Sequence, residues 1–289
     1  MNYRHLYHAG NFADVFKHCI LIMLLEELRK KEKPFCYLET HAGIGRYDLT
    51  SEMAQKTREY ENGVLRIYNQ PSNHEAIKTY QKIVAATNNF AIQTNVEKNE
   101  KDLQIASYSL NSYPGSPAIA HALLRPQDSM ILAELHKDDV AILKQNFAHD
   151  RNVAIHHMDG YQSLKAFLPP KKGRGLIFID PPFEQPNEFS QIIESLHMAL
   201  QRYPIGIYFI WYPIKDSLRT QIENFHHELQ TLKCKNIVPS EIAISKNSSL
   251  ADNDNINGLN SCGAIIVNAP WNFQQQLNPV INWLEQNLT

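Results

Sequence analysis

The chain has no CxxC pair. Its four cysteines, Cys19, Cys36, Cys234 and Cys262, are scattered along the sequence, which argues against both a disulfide framework and a zinc site of ordinary ligand spacing. No metal is expected. Long apolar runs are also missing, since nothing approaches the roughly 18 uninterrupted residues of a membrane span. The richest stretch, Cys19 to Leu25, runs into Glu26, Glu27, Arg29, Lys30 and Lys31 and reads as a buried helix. The opening residues, MNYRHLYHAG, lack the charged-then-apolar order of an export signal. The expectation is a cytoplasmic protein with reduced cysteines, no membrane contact and, with no exposed apolar seam, a monomeric state. Net positive charge is lacking too. The formal charge is −2, whereas dedicated nucleic-acid binders are usually basic overall. Any contact with phosphate must come from a local patch. One candidate is the N-terminal segment with Arg4, Lys17 and three early histidines; the other is the loop with Lys171, Lys172 and Arg174. Either also reads as solvated surface charge.

What is present is an ordinary globular composition over 289 residues, 43% hydrophobic and 20% charged, enough for a sizeable core. A first helix starts near Asn11, with an apolar face through Phe12, Val15, Phe16, Cys19 and Met23. Short apolar runs then recur at Phe35–Leu38, Met130–Leu135, Val153–His157, Leu176–Ile179 and Gly206–Trp211, separated mostly by helical patterns such as Asp138–Phe147 and Glu188–Tyr203. Strands alternating with helices predict a parallel sheet covered on both faces. Helical Asp216–Leu232 leads to two more strand candidates, Ile237–Ser245 and Gly263–Asn268, joined by the Asn-rich loop Lys246–Asn260 and expected to pair antiparallel. Helix Phe273–Leu288 closes the chain. The expected class is α/β, a doubly wound seven-stranded sheet, mostly parallel with one antiparallel strand. Between Leu49 and about Tyr113 the alternation stops. That stretch is polar, helix-patterned and supplied with apolar faces (Leu65, Ile67, Tyr68, Ile77, Tyr80, Ile83). It reads as a small helical subdomain, residues 50–109, inserted into a sheet domain formed by residues 1–49 and 110–289.

Three strand ends carry candidate ligand residues. After the first strand, Gly43-Ile44-Gly45-Arg46-Tyr47-Asp48 has a turn that lets backbone approach a ligand and open a helix N-terminus onto it. Asp48 stands where a dinucleotide fingerprint has its third glycine, and a carboxylate there would repel a diphosphate. A tight structural turn explains the glycines equally well. SMILAELH places Glu134 and His136 at the end of the second strand, where an acid commonly meets ribose hydroxyls. VAIHHMDGYQSL ends the third in Asp159-Gly160, suited either to an adenine amino group or to a helix N-cap.

GLIFIDPPFEQP is more specific. An apolar strand ends in Asp180, two prolines and Phe183, at the tip where a doubly wound sheet reverses direction and binds ligands. Asp-Pro-Pro-aromatic after such a strand, with an upstream glycine loop, resembles the signature of amino-group methyltransferases that use S-adenosylmethionine. An exocyclic amine conjugated to a ring is a poor nucleophile. Asp180 and the carbonyl of Pro181 can accept its two hydrogens, the prolines preset that geometry, and Phe183 offers a face for stacking an unpaired base.

The likeness extends further. YRHLYHAGNFADVFKH, THAGIGRY, YPGSP, AELH, MDGY and GLIFIDPPFE, with GIYFIWYPI and APW beyond them, resemble the ribosomal RNA large subunit methyltransferase J family along almost the whole chain. The resemblance implies a Rossmann-like class I methyltransferase fold with a helical insertion. It also implies transfer of a methyl group to N6 of an adenine in 23S ribosomal RNA, with an unassembled or hairpin RNA as the expected partner. Carried over by position, it makes His18, His41, Ser116, Glu134, Asp159 and Gly160 cofactor-binding, alongside Gly43 of the glycine loop and Asp180. Asp180 becomes the catalytic acceptor, with Pro181 and Phe183. Tyr3, with neighbouring Arg4, becomes an RNA contact. Two departures stand out: Phe183 where the family commonly has tyrosine, and Ala269 where proline is expected. Guanine N2 of ribosomal RNA and adenine N6 of DNA are alternative targets of the same motif. A nicotinamide-dependent oxidoreductase and a catalytically silent RNA-binding module are the readings from other classes.

Overall fold

The computed structural model describes residues 4–94, 110–232, 234–244 and 259–289. Tyr3 and most of the Asn-rich loop lie outside the described residues. Helix α1 (Phe12–Arg29) begins where Asn11 accepts the amide of Asp14 at 2.9 Å, satisfying one of the orphan donors of a helix start. It is buried almost all round, because it lies between the sheet domain and further helices, and a helix so placed needs apolar residues on every side.

The sheet has seven strands. β1 (Cys36–Glu39) stands at its centre. The glycine loop leads to short β2 (Arg46–Asp48), then α2 (Glu52–Thr57), α3 (Val64–Ile67) and α4 (Glu75–Thr94), and β3 (Ser112–Pro114) follows. The regular alternation resumes with α5 (Ser116–Leu123), β4 (Ser129–Glu134), α6 (Lys137–Asn146), β5 (Val153–His157), α7 (Gly160–Phe167), β6 (Gly175–Ile179), α8 (Glu188–Arg202) and β7 (Ile207–Ile214). Helix α9 (Arg219–Thr231), β8 (Val238–Ala243), β9 (Ser261–Val267) and α10 (Phe273–Leu288) complete the chain. Strand order is β5-β4-β1-β6-β7-β9-β8. Of these, β9 alone runs against its neighbours, antiparallel to both β7 and β8, as the expected last pairing requires. The order reverses between β1 and β6, which opens a crevice at their carboxyl ends. One apolar cluster holds α1, α4 and α10 to one face; a second, with Leu164, Ile192, Leu196 and Phe225, covers the other.

The glycine loop departs from expectation. No helix opens from it. Gly43 and Gly45 take positive φ, 59° and 79°, and the chain enters β2, which pairs antiparallel with β3. The helix that a doubly wound fold places after this loop is α5, and the Gly115 amide just before it donates to Gly45 O at 2.9 Å. The loop and its helix are thus neighbours in space while the segment carrying α2–α4 separates them in sequence. That segment shares its core with the sheet domain: Ile77 and Tyr80 belong to the cluster of Phe16 and Cys19, and Tyr80 Oη lies 3.0 Å from Tyr113 Oη.

The loop proposed for phosphate contact has a structural task at one position. Arg174 donates to Lys33 O at 2.7 Å and Leu28 O at 2.9 Å, and Arg125 donates to Lys31 O at 2.9 Å, so two guanidiniums satisfy carbonyls at and just beyond the end of α1. Among the described residues no helix is long and apolar enough to cross a membrane, and no group of three or more His, Cys, Asp or Glu side chains could hold a metal ion.

Asn88, buried on α4, accepts the amides of Asn111 (2.8 Å) and Ser112 (3.0 Å) and donates to Ser112 O at 2.9 Å. It thereby fixes the return of the chain into β3. Asn88→Ala is expected to lower stability by about 1–3 kcal/mol, because it strands backbone donors away from water. The urea unfolding midpoint is the measurement, and an unchanged midpoint would remove this bond set from the account.

Candidate active site

The carboxyl tips of β1 and β6 bring Glu39, Thr40 and His41 beside Asp180. A cavity of about 270 Å³ opens there, its wall running from α1 across the glycine loop and α5 to the Asp180–Phe183 turn and Trp211. Of the residues expected from the sequence, His18, His41, Gly43, Ser116, Glu134, Asp180, Pro181 and Phe183 line it. Asp159 and Gly160 do not. Asp159 caps α7 by accepting the Gln162 amide at 2.9 Å, one of the two roles read from the sequence. Gly160 packs under the tip of β1, where an added Cβ would fall 2.3 Å from Thr40 O and 2.9 Å from His41 Cε1. Gly160 therefore shapes the floor on which His41 rests, and Asp159 caps the helix that starts there. Arg4 also stands off the wall, with its guanidinium on Asp139 (2.8 Å) and near His136 Nδ1 (3.3 Å).

Glu134 holds the glycine loop in place. One carboxylate oxygen accepts the Gly43 amide and the other the His136 amide, each at 2.7 Å. Burial raises its pKa. Ser116, first residue of α5, donates to Glu39 at 2.5 Å, and Tyr37 donates to the other oxygen of Glu39 at 2.8 Å. Glu39 is fully buried, and burial pushes its pKa up to about 8 against the opposing effect of these two donors. His18 Nδ1 lies 2.8 Å from Tyr113 Oη. Burial takes His18 down to about 3 and His41 down to about 4, so both imidazoles are neutral at pH 7.

The charged centre is one the sequence reading missed. Lys17, assigned there to a surface patch, is 6% exposed. Its ammonium lies 2.7 Å from Asp180 Oδ2 and 2.8 Å from Asp14 Oδ1, and 5.5 Å from the Trp211 ring centre, a cation–π distance. Burial alone would raise the Asp14 carboxyl, but His5 and Lys17 hold it well below the usual range. The available signal was the i, i+3 spacing of Asp14 and Lys17 on an otherwise apolar helix. Glu39, Tyr113 and Trp211 were missed as well; nothing short of the strand register shows that they meet here.

Phe183 has φ 51°, a left-handed backbone that a bulky residue rarely adopts. Its ring packs against Phe189 (centroids 5.0 Å apart) and edge-on to Trp211 (6.0 Å), which holds it at the mouth of the cavity. The result is a carboxylate, a restrained diproline backbone and an aromatic face, presented together at a topological switch point.

Comparison with known proteins places the chain. The family described as "Ribosomal RNA large subunit methyltransferase D, RlmJ" matches residues 32–289. Ribosomal RNA large subunit methyltransferase J of Escherichia coli K12 is 40% identical over 288 residues, covering 100% of this chain and 94% of the relative. Its counterpart in Haemophilus influenzae is 36% identical with the same coverage. A crystal structure of a Legionella pneumophila protein superposes with a TM-score of 0.79 at 32% identity, over 97% of this chain and 94% of that one. On the full-length match in sequence and fold, the chain belongs to the ribosomal RNA large subunit methyltransferase J family.

Proposed function

We propose that this protein transfers a methyl group from S-adenosylmethionine to the exocyclic N6 of an adenine in 23S ribosomal RNA, presented as an unassembled or hairpin segment. The observation that carries the reading is the Asp180 carboxylate at the tip of β6, held by Lys17 at 2.7 Å and followed by Pro181, Pro182 and the left-handed Phe183. The donor set fits the cofactor. The wall carries carboxylates from Asp14, Glu59, Glu134, Asp139 and Asp180 against the ammoniums of Lys17 and Lys215, beside neutral His18 and His41, a net negative lining that suits a ligand bearing positive charge and no phosphate. A nicotinamide dinucleotide, with its diphosphate, matches this wall poorly. Gly43, Ser116, Glu134, His18 and His41 would hold the cofactor, with Gly160 and the helix capped by Asp159 supporting His41 from behind. When bound it supplies an electrophilic methyl carbon on a sulfonium.

The remaining work falls to the chain. Asp180 and the Pro181 carbonyl accept the two amine hydrogens and draw the nitrogen lone pair out of the ring, toward the methyl. Because Lys17 takes one oxygen of Asp180, the other is left for the amine. Phe183 stacks the base, and the surplus proton leaves the nitrogen through Asp180 or to water. The buried part of the wall, Asp14, Lys17, His18, Ser116 and Glu134, keeps charge contacts at Asp180 partly out of bulk water, where each would be weaker. Arg4, bonded to Asp139 of the wall, would meet the RNA together with Tyr3, its neighbour in sequence.

Asp180→Ala is expected to lower methyl transfer to 23S ribosomal RNA by at least 100-fold while the protein still gains thermal stability with S-adenosylhomocysteine. Transfer at the wild-type rate would refute the mechanism. The base is tested separately, by mass mapping of nucleosides from 23S ribosomal RNA of a deletion strain treated with the protein. N6-methyladenine is expected, and N2-methylguanine in its place would reassign the target.

Glu39 makes a further expectation for pH. Its folded pKa of about 8 lies above the ordinary glutamate value of 4.5, so between those values the native state binds a proton that the unfolded chain does not. Its contribution to stability is fully present below about pH 4.5 and is lost as pH rises through about 8. Glu39→Gln, which cannot titrate, should gain on wild type steadily from pH 6 to pH 8.5 in urea midpoint. A constant difference across that range would show that Glu39 is ionised in the fold.

A further inference from the structure

The two ends of the sheet differ in charge. Carboxylates gather at the carboxyl edge, where Glu134, Asp139 and Asp180 line the cavity. Of the cations near that edge, Arg4 is engaged with Asp139 and Lys17 with Asp14 and Asp180, while Lys137 and Lys215 follow the ends of β4 and β7 on the exposed surface. The opposite edge is basic. The loops entering β1 and β6 carry Lys31, Lys33, Lys171 and Lys172, all exposed, and among the described residues no ion pair involves any of these four.

These loops are fixed to one another. Cys36 N donates to Arg174 O at 2.9 Å, Ser129 N to Phe35 O at 3.0 Å, and Arg125 and Arg174 both bond carbonyls of the 31–33 segment. Burial lowers the Arg174 pKa, and nearby Arg125 lowers it further, as expected where like charges are brought together. Most acids of the region are neutralised: Asp128 is fully buried on Arg125, and Glu26 and Glu27 pair with Arg29 and Lys30. Exposed Glu32 remains.

The same edge continues to β7 and β9, where Asn268 Nδ2 donates to Pro204 O (3.0 Å) and Gly206 O (2.7 Å). There Trp271 is 73% exposed. Three strand spacings separate β1 from β9, roughly 14 Å.

We propose that this amino-end edge, with Lys31, Lys33, Lys171 and Lys172 on its lysine loops and Trp271 beyond them, is a second contact surface for ribosomal RNA, engaging its sugar–phosphate backbone and stacking an unpaired base. The proposal rests on the reading that ribosomal RNA is the substrate. A chain of net charge −2 with an acidic catalytic edge has to gather phosphate-neutralising charge elsewhere, and here it does so on the opposite edge. An exposed indole beside a cationic stripe suits bases and phosphates together better than an acidic protein. Strands of five to eight residues put the two edges about 17–26 Å apart. That is within the compass of a folded RNA, since a double-stranded RNA-binding domain alone spans about 16 base pairs.

The test uses full-length protein and two RNAs: unmethylated protein-free 23S ribosomal RNA, and the shortest fragment of it that still accepts a methyl group. In the variant Lys31→Gln/Lys33→Gln/Lys171→Gln/Lys172→Gln, affinity for the long RNA should fall at least 10-fold at low salt. The slope of log K against log salt should become shallower by about 3. Transfer to the short fragment should keep its wild-type rate. Trp271→Ala should weaken long-RNA binding about 5-fold or more without changing the salt slope. Wild-type affinity and slope for the long RNA in the lysine variant would overturn the proposal, as would an unchanged slope accompanied by loss of retention on polyglutamate, which would indicate an acidic protein partner. Binding is read apart from transfer. Failure of wild-type protein to methylate either RNA would therefore tell against the catalytic reading and not against this surface.

Discussion

A buried ammonium has to be neutralised, and the geometry of the site follows from how Lys17 is. Leaving such a charge unpaired away from water costs several kcal/mol. Lys17 meets that constraint with one carboxylate from its own helix and one from the tip of β6. Asp14 in turn accepts the Gly10 amide at 2.8 Å and lies 3.0 Å from His5 Nε2, so the segment leading into α1 is tied to the same charge. Buried ion pairs are weak evidence for stability; what this one does is fix orientation. It sets α1, the Asp180 turn and the Trp211 ring relative to one another across elements that share no sequence proximity.

Much of the fold was legible because buried parallel strands read as continuous apolar runs, and the apolar residues that follow Asn11 marked α1. The Asp180 turn was legible because two prolines after an apolar strand leave few structural options. Other features were hidden for physical reasons. β2 and β3 are three residues each, too short for a period to register. The helix belonging to the glycine loop was displaced past α2–α4, so adjacency in sequence pointed to the wrong partner for Gly45. Arg174 was grouped with its lysine neighbours by charge, whereas the fold uses it to satisfy carbonyls around the end of α1. Lys17 was misread for the opposite reason: a helix buried on all sides offers no polar face, so a single lysine on it looks like an edge residue until its partners are known.

The neutral groups around the charged trio matter as much as the trio itself. Burial discharges His18 and His41 at neutral pH and lifts Glu39 to about 8. Protonated imidazoles here would repel a cationic ligand and compete with Lys17 for Asp180. Keeping them uncharged leaves buried Lys17 and its two carboxylates to dominate the field at Asp180, where few water dipoles can screen it.

The Phe183 backbone shows how an aromatic face is preset beside Asp180. A bulky residue at φ 51° costs of order 1–3 kcal/mol, and it persists because its surroundings over-determine it. Pro181 and Pro182 restrict the chain leading in, and Phe189 and Trp211 enclose the ring once it arrives. Aromatic contacts of this kind contribute about 0.5–1.5 kcal/mol each beyond area burial, enough to offset the backbone term. The position of the ring is thus set by packing behind it rather than by any group on its para carbon. Phenylalanine in place of tyrosine therefore keeps the ring in the same packed position beside the Asp180 turn.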